Sequence, residues 1–195
     1  MTLQAFLDKN KVEAGLDEAG RGSLAGPVVA AAVVLPKNFD LPGLRDSKKL
    51  SYKHRNRLKV IIKEQAIAWA IGEATAEEID KINISQATFL AMHRALAKIK
   101  KPIDQLLIDG LHFNAYKKVP HHCIVKGDSK FASIAAASVL AKTYRDELMQ
   151  KLAVEHHEYG WDHNVGYPTL EHRRAIARFG ITDWHRRSFR MLAEK

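Results

Sequence analysis

The run Pro27 to Leu35, PVVAAAVVL, constrains the fold of this chain more than any other segment. After its proline it holds only small and branched apolar residues, and it reads as a buried strand. A glycine-dense turn precedes it, Gly20-Arg21-Gly22-Ser23-Leu24-Ala25-Gly26, and a loop punctuated by Pro36, Pro42 and Gly43 follows it. Such a strand needs neighbours on the sheet. Val12 to Leu16, Ala68 to Thr75, Ile103 to Ile108 and His122 to Val125 have the composition to supply them.

Helices are predicted between these strands. Ser51 can cap one from Tyr52 to about Gln65, with Leu58, Ile61 and Ile62 on its apolar face. Ala76 to Lys100 is predicted as two helical pieces. In the second, Ile84, Ala87, Leu90, Ala91, Leu96 and Ile99 recur near the helical period, and Lys101-Pro102 ends it. A long helix is expected from near Ser129 to about Leu152, and its IAAASVLA segment is small enough to lie close against a sheet. A polar loop from Glu155 to Gly166 and a helix from Leu170 to Arg178 complete the chain. The order predicts a mixed α/β sheet, antiparallel in its first half and flanked by helices. A length of 195 residues suits one compact domain, residues 1–195, on which a small helical extension from about 153 to 195 packs.

Charge narrows the partner. Thirty-one Lys and Arg against 22 Asp and Glu leave a net +9, an excess that suits a polyanion because each neutralised phosphate releases a counterion. A merely basic, soluble protein remains open on this ground alone. Cys123 is the one cysteine, which excludes an intramolecular disulfide and a cysteine-rich zinc site. The start, MTLQAFLDKN, lacks the apolar core of a signal peptide. No apolar run approaches the roughly 18 residues of a membrane span. A reducing, cytosolic setting is the expectation.

Acidic residues recur in one local context. Asp17-Glu18, Asp109 and Asp128 each follow an apolar strand segment, where the sites of α/β sheets assemble. Like charges gathered there are costly unless cations occupy them, and hard divalent cations prefer oxygen ligands. Two such ions could activate water and support a leaving oxygen on a phosphate substrate. Each carboxylate also has a structural reading, as a turn former or, for Asp128-Ser129, as a cap on the long helix. Spacing does not show that the three segments meet.

Gly20-x-Gly22-x-x-Ala25 matches the form of a dinucleotide-binding fingerprint. A helix should begin inside that motif, whereas a strand-like run follows, so the match is rejected. The turn is better suited to close approach of a sugar-phosphate strand, with Arg21 adding a phosphate contact. Arg45, Lys48 and Lys49 surround Asp46-Ser47, and Lys126 and Lys130 flank Asp128; each could bind phosphate or be solvated surface. The pairs His121-His122 and His156-His157 lack metal-ligand spacing. Trp161, Tyr167, Phe179, Trp184 and Phe189 are expected in the core or covering the C-terminal segment, and Tyr167, between Gly166 and Pro168, is best placed to stack on a sugar or base. Asp162 and His163 in the polar loop are open candidates for proton transfer.

Together and in this order, AGLDEAGRGSLAGPVVAAAVVL, LRDSKKLS, LLIDG, VKGDSKFASIAAASVLAKTYRD, GYPTLEH and the final HRRSF resemble the type 2 ribonuclease H family, in particular its bacterial ribonuclease HII branch. The resemblance runs from about Val12 to Phe189. It implies an RNase H-like fold and hydrolysis of the RNA strand of RNA–DNA hybrids. It also implies incision 5′ to a single ribonucleotide in duplex DNA, leaving 3′-hydroxyl and 5′-phosphate ends. By matching motifs, Asp17, Glu18, Asp109 and Asp128 become catalytic ligands of Mg²⁺ or Mn²⁺. Gly20, Arg21 and Gly22 match the reader of the ribose 2′-hydroxyl, and Tyr167 matches the tyrosine that packs on the next deoxyribose. Ser47, Lys48, Lys126 and Lys130 fall in phosphate-binding segments. The resemblance implies a monomer with RNA–DNA hybrid or ribonucleotide-containing duplex DNA as its partner, no membrane, and a role in ribonucleotide excision repair. The early first motif argues against the extra N-terminal domain of ribonuclease HIII. A noncatalytic hybrid-binding module and a DNA nuclease or integrase of the same fold are the competing readings.

Overall fold

The computed structural model describes residues 3–44 and 50–192. Ser47 and Lys48, with Arg45, Asp46 and Lys49, lie outside the described residues. Five strands form one sheet: β1 (Glu13–Ala19), β2 (Val28–Val34), β3 (Ala68–Ala74), β4 (Gln105–Asp109) and β5 (His121–Ile124), in the order β3-β2-β1-β4-β5. β1 pairs antiparallel with β2, and β2 with β3, while β4 runs parallel to both β1 and β5. This is the mixed sheet expected, with its antiparallel half first.

β2 explains the composition of PVVAAAVVL. Its side chains alternate between two cores, because neighbouring strand residues face opposite ways. Val28, Ala30, Ala32 and Val34 pack beneath helix α2 (Ala76–Lys98) with Ala87, Ala91 and Ala95. Val29, Ala31 and Val33 face helices α1 (Tyr52–Gln65) and α3 (Ala132–Glu155), meeting Leu58, Ile62, Ala136 and Leu140. A strand buried on both faces has no polar alternation to show.

Glycine sets how close the helices come. A Cβ added to Gly15 in β1 would overlap the backbone of Ser133 and Ile134 in α3. One added to Gly72 in β3 would overlap Ala91 and Ala95 of α2. The helices therefore sit backbone-to-backbone on the sheet, and small residues in α3 fill what little space is left.

Ser51 caps α1 by accepting from the His54 N–H, as predicted. The two-piece reading of the second helical stretch also holds. Asn83 interrupts α2 at φ 66° and its Oδ1 accepts from the N–H groups of Ser85 and Gln86, restarting the helix. Two expectations need correction. The segment 155–166 is not simply a polar loop, because it contains helix α4 (Trp161–Asn164); Trp161 itself is buried as expected, stacked on Tyr159 with its indole N–H donating to His172. Phe179, at the end of helix α5 (Leu170–Phe179), is exposed beside Arg178 rather than in the core. The C-terminal helices close on the sheet through Leu24, Ala25 and Met149, which pack with Trp161 and Ile176. Among the described residues no helix is long and apolar enough to cross a membrane.

Gly15→Ala tests the close approach of α3. Overpacking against backbone rather than a movable side chain should cost roughly 3 kcal/mol, or ~6–12 °C in Tm for a chain of this size. A melting temperature unchanged within error would contradict it.

Candidate active site

Sheet register assembles the carboxylates. Leu16 is the partner of Ile108 in the parallel β1–β4 pair, so the next residues, Asp17 and Asp109, leave adjacent strands side by side on the α3 face. Asp17 does not lie past the end of its strand, as the apolar pattern suggested. β1 continues to Ala19, because antiparallel pairing of Asp17 with Ala31 and Glu18 with Ala30 carries the ladder on.

Asp128 comes from a 3₁₀ turn, Gly127–Ser129, between β5 and α3. The N-cap of α3 is Phe131, with no side-chain capping bond, so the helix-cap reading of Asp128 fails. Gly127 N–H donates to Asp109 Oδ1 at 2.7 Å, which ties this turn to the end of β4. Asp17, Asp109 and Asp128 each present a carboxylate oxygen within 4.8 Å of the others, and they are the one such candidate metal group among the described residues. No histidine joins it.

Electrostatics supports a cation there. Burial, then the negative charges of Glu18 and Asp109, push the Asp17 carboxyl well above the usual carboxylate range, against a hydrogen bond from Ser138. A site that resists ionisation without a cation is suited to binding one. Ligands, charge and oxygen chemistry fit a hard divalent ion.

Glu18 is not one of that trio, yet its charge acts on Asp17 more strongly than that of Asp109, and it pairs with Arg21 at 3.6 Å. It still borders the same groove as Asp109 and Asp128, a cavity of about 950 Å³ that Lys126 also lines. On its other side Glu18 borders a second cavity of about 550 Å³, lined by Gly20, Arg21, Gly22, Arg55, Lys142 and Tyr167. The predicted ribose turn and the predicted stacking tyrosine therefore share one cleft beside the carboxylates. Lys130 is exposed near the 3₁₀ turn and lines neither cavity.

The glycines of the turn differ in kind. Gly20 has φ +90°, and a Cβ on it would overlap the Arg145 guanidinium. Gly22 has neither constraint: no φ restricts it and a Cβ would meet nothing within 4 Å. None of the described residues requires glycine there, which points to something outside the protein that comes close.

Sequence reasoning missed several residues. Arg55 and Lys142 add positive charge to the tyrosine cleft, and Lys142 Nζ lies 5.6 Å from the Tyr167 ring. Arg145 and Arg186 are buried completely, although each looks like a surface charge in its motif. The one available signal for Arg145 is its place on the buried stripe Ala141, Arg145, Met149. His163 is engaged at both ring nitrogens, by Asp162 and Glu171, and carries no contact to the carboxylate trio.

His172 and His185 form a buried pair beneath Tyr167. His172 Nδ1 meets the Tyr167 carbonyl at 3.0 Å, and its Nε2 lies 3.2 Å from His185 Nε2. Trp161 N–H donates to that same Nε2, and Thr182 N–H donates to His185 Nδ1. The assignment consistent with these contacts has both rings neutral, His172 protonated at Nδ1 and His185 at Nε2, with the one Nε2 lone pair of His172 shared between the Trp161 and His185 N–H groups. Burial lowers both, His185 to about 4.

Comparison with known proteins accords with this geometry. A sequence profile described as Ribonuclease HII matches residues 14–192. The chain belongs to the ribonuclease HII family. It is 54% identical over 193 residues to the ribonuclease HII of Parabacteroides distasonis, covering 99% of this chain and 97% of that one. It is 54% identical over 192 residues to that of Bacteroides fragilis, covering 98% and 96%. Among solved structures it is similar to the RNase HII of Archaeoglobus fulgidus, in complex with PCNA, at a TM-score of 0.79 and 24% identity, over 94% of this chain and 97% of that chain. It is also similar to the ribonuclease H2 of Pyrococcus horikoshii at a TM-score of 0.78 and 24% identity, over 92% and 94%. The RNase H-like fold is thereby established, and the chain is a ribonuclease H, an endonuclease.

Two measurements check the site's electrostatics. A raised Asp17 pKa gives stability that is complete below its unfolded value and lost as pH rises through the folded one. Asp17→Asn should therefore raise the Tm of metal-free protein at neutral pH, by ~2–4 °C per kcal/mol of repulsion relieved; a lower Tm would refute the assignment. The histidine pair has the opposite sign. Its lowered pKa means that stability present above about 6.5 is lost as pH falls toward about 4, at up to ~1.4 kcal/mol per pH unit per group. His185→Gln should flatten that acid limb in a pH series of thermal melts, and an unchanged limb would exclude the pair as its source.

Proposed function

We propose that this enzyme hydrolyses the RNA strand of RNA–DNA hybrids and incises on the 5′ side of a single ribonucleotide embedded in duplex DNA. The observation that carries this reading is the cleft in which Gly20, Arg21 and Gly22 face Tyr167 beside Glu18. A 2′-hydroxyl is what separates RNA from DNA at one nucleotide, and backbone groups of a glycine turn can reach it. Charge on phosphates cannot make that distinction. An aromatic ring one nucleotide further on would pack against the following deoxyribose.

Asp17, Asp109 and Asp128 would hold Mg²⁺ or Mn²⁺, with Glu18 at the margin of the pair. Divalent ions held by these carboxylates would supply water activation and charge stabilisation at the phosphate. The chain's own residues do the rest. The Gly127 amide orients Asp109, and Arg21, Arg55, Lys126 and Lys142 offset the phosphate charge that the carboxylates would otherwise repel. Lys130, and Ser47 and Lys48 outside the described residues, would extend that phosphate track. Water adds to phosphorus as the P–O3′ bond breaks, and the proton passes to O3′. The products are a 3′-hydroxyl and a 5′-phosphate. On this reading the chain works as a monomer in the cytoplasm, at the first step of ribonucleotide excision repair.

The test is incision of duplex DNA carrying one ribonucleotide, beside an all-DNA duplex and a continuous hybrid, in Mg²⁺, Mn²⁺ or EDTA. Cleavage is expected 5′ to the ribonucleotide in metal only, and Asp109→Asn should slow it by at least ~100-fold. Gly22→Ala should leave stability unchanged or raised by about 0.4–1 kcal/mol, while incision falls at least roughly tenfold because the added methyl blocks the ribose. An uncut junction in both metals, or equal cutting of all-DNA duplex, would overturn the reading.

A further inference from the structure

The turn that faces the cleft is held from below by two arginines. Arg186 donates from Nε and Nη2 to Gly26 O, from Nη1 to Arg21 O and from Nη2 to Gly20 O, at 2.7–3.0 Å. Arg145 donates to Pro27 O at 3.0 Å, to Ala25 O at 2.9 Å and to Val165 O at 2.8 Å. Both side chains are fully buried, and among the described residues neither forms an ion pair with a carboxylate. Burial lowers both, Arg186 to about 9, which leaves it protonated at neutral pH. Two buried cations have been committed to backbone oxygens alone.

The consequence follows from peptide geometry. In a trans peptide the N–H points opposite to the C=O. Drawing the carbonyls of Gly20 and Arg21 inward to Arg186 turns the N–H groups of Arg21 and Gly22 outward, toward the cleft. Arg145 bridges two segments. It holds the turn at Ala25 and Pro27 and the Tyr167 turn at Val165, with its guanidinium 5.6 Å from the Tyr167 ring. Leu24 N–H, donating to Gly166 O at 2.8 Å, closes the same junction. Gly20 must be glycine because Arg145 occupies the place of its Cβ.

We propose that Arg145 and Arg186 are positioning residues that fix the ribose-facing turn and Tyr167 as one rigid template, and so set the enzyme's selectivity for a ribose followed by a deoxyribose. The proposal rests on the function proposed above. Arginine suits this role through its planar fork, whereas a lysine keeps the charge but cannot serve carbonyls lying in several directions. A loosened template affects substrates unequally. In a continuous RNA strand every nucleotide offers a 2′-hydroxyl, whereas a lone ribonucleotide requires both halves of the template in register.

Arg186→Lys and Arg145→Lys test this, each after a thermal melt shows a folded protein, so that failure of one to fold leaves the other. On the single-ribonucleotide duplex kcat should fall roughly 10–100-fold with KM within about threefold. The preference for that substrate over continuous hybrid should fall at least about tenfold. Hydrogen exchange in the unliganded protein gives a readout independent of activity: the Leu24 and Gly26 amides should lose protection while Ala14 and Leu16 in β1 keep theirs. Equal losses of kcat on both substrates, or unchanged exchange at Leu24 and Gly26, would overturn the proposal. If the wild-type enzyme leaves the junction uncut, the function fails, and the exchange measurement still decides whether the arginines hold the turn.

Discussion

Parallel pairing of β1 with β4 in the register Leu16–Ile108 brings Asp17 and Asp109 out on neighbouring strands, and much of the molecule serves to keep that register. A slip of one residue would send one of the two carboxylates to the opposite face. The sheet resists it because β2 is buried on both sides and α2 and α3 lie against glycine backbone at Gly72 and Gly15. Close packing of small residues leaves few alternative alignments. Repulsion among the acids is thus imposed by the core.

Two kinds of charge burial meet at the cleft. The carboxylates are gathered closely enough to repel one another, which suits a divalent ion. The guanidiniums of Arg145 and Arg186 form no ion pair with a carboxylate among the described residues and commit their donors to carbonyls. The first arrangement concerns chemistry at the phosphate, and the second concerns the shape of the surface that meets the sugar. The buried His172–His185 pair continues the second theme, supporting the Tyr167 carbonyl with neutral rings.

Much of this was legible in residue order. Strand and helix positions followed apolar periodicity, and Ser51, Pro27 and Lys101-Pro102 marked real boundaries. The acids stood out because they interrupted or followed apolar runs. Arg145, Arg186, His172 and His185 did not stand out, since local pattern treats an isolated charge or imidazole as solvated. Their burial depends on carbonyls and rings supplied from distant parts of the chain, with 166 positions separating Arg186 from Gly20. Trp161, by contrast, was expected in the core as an aromatic, and it is buried there although its segment reads as polar.

By itself the sequence determined the element order, the two-sided burial of β2 and which carboxylates could matter, because these depend on composition and short-range period. Only the tertiary structure decided that Asp17, Asp109 and Asp128 converge and that Glu18 beside them pairs with Arg21, since that outcome depends on the register between strands distant in sequence. It also separated Gly20, which the fold requires, from Gly22, which it does not. The distinction lies in what surrounds each Cα, and no local pattern carries that information.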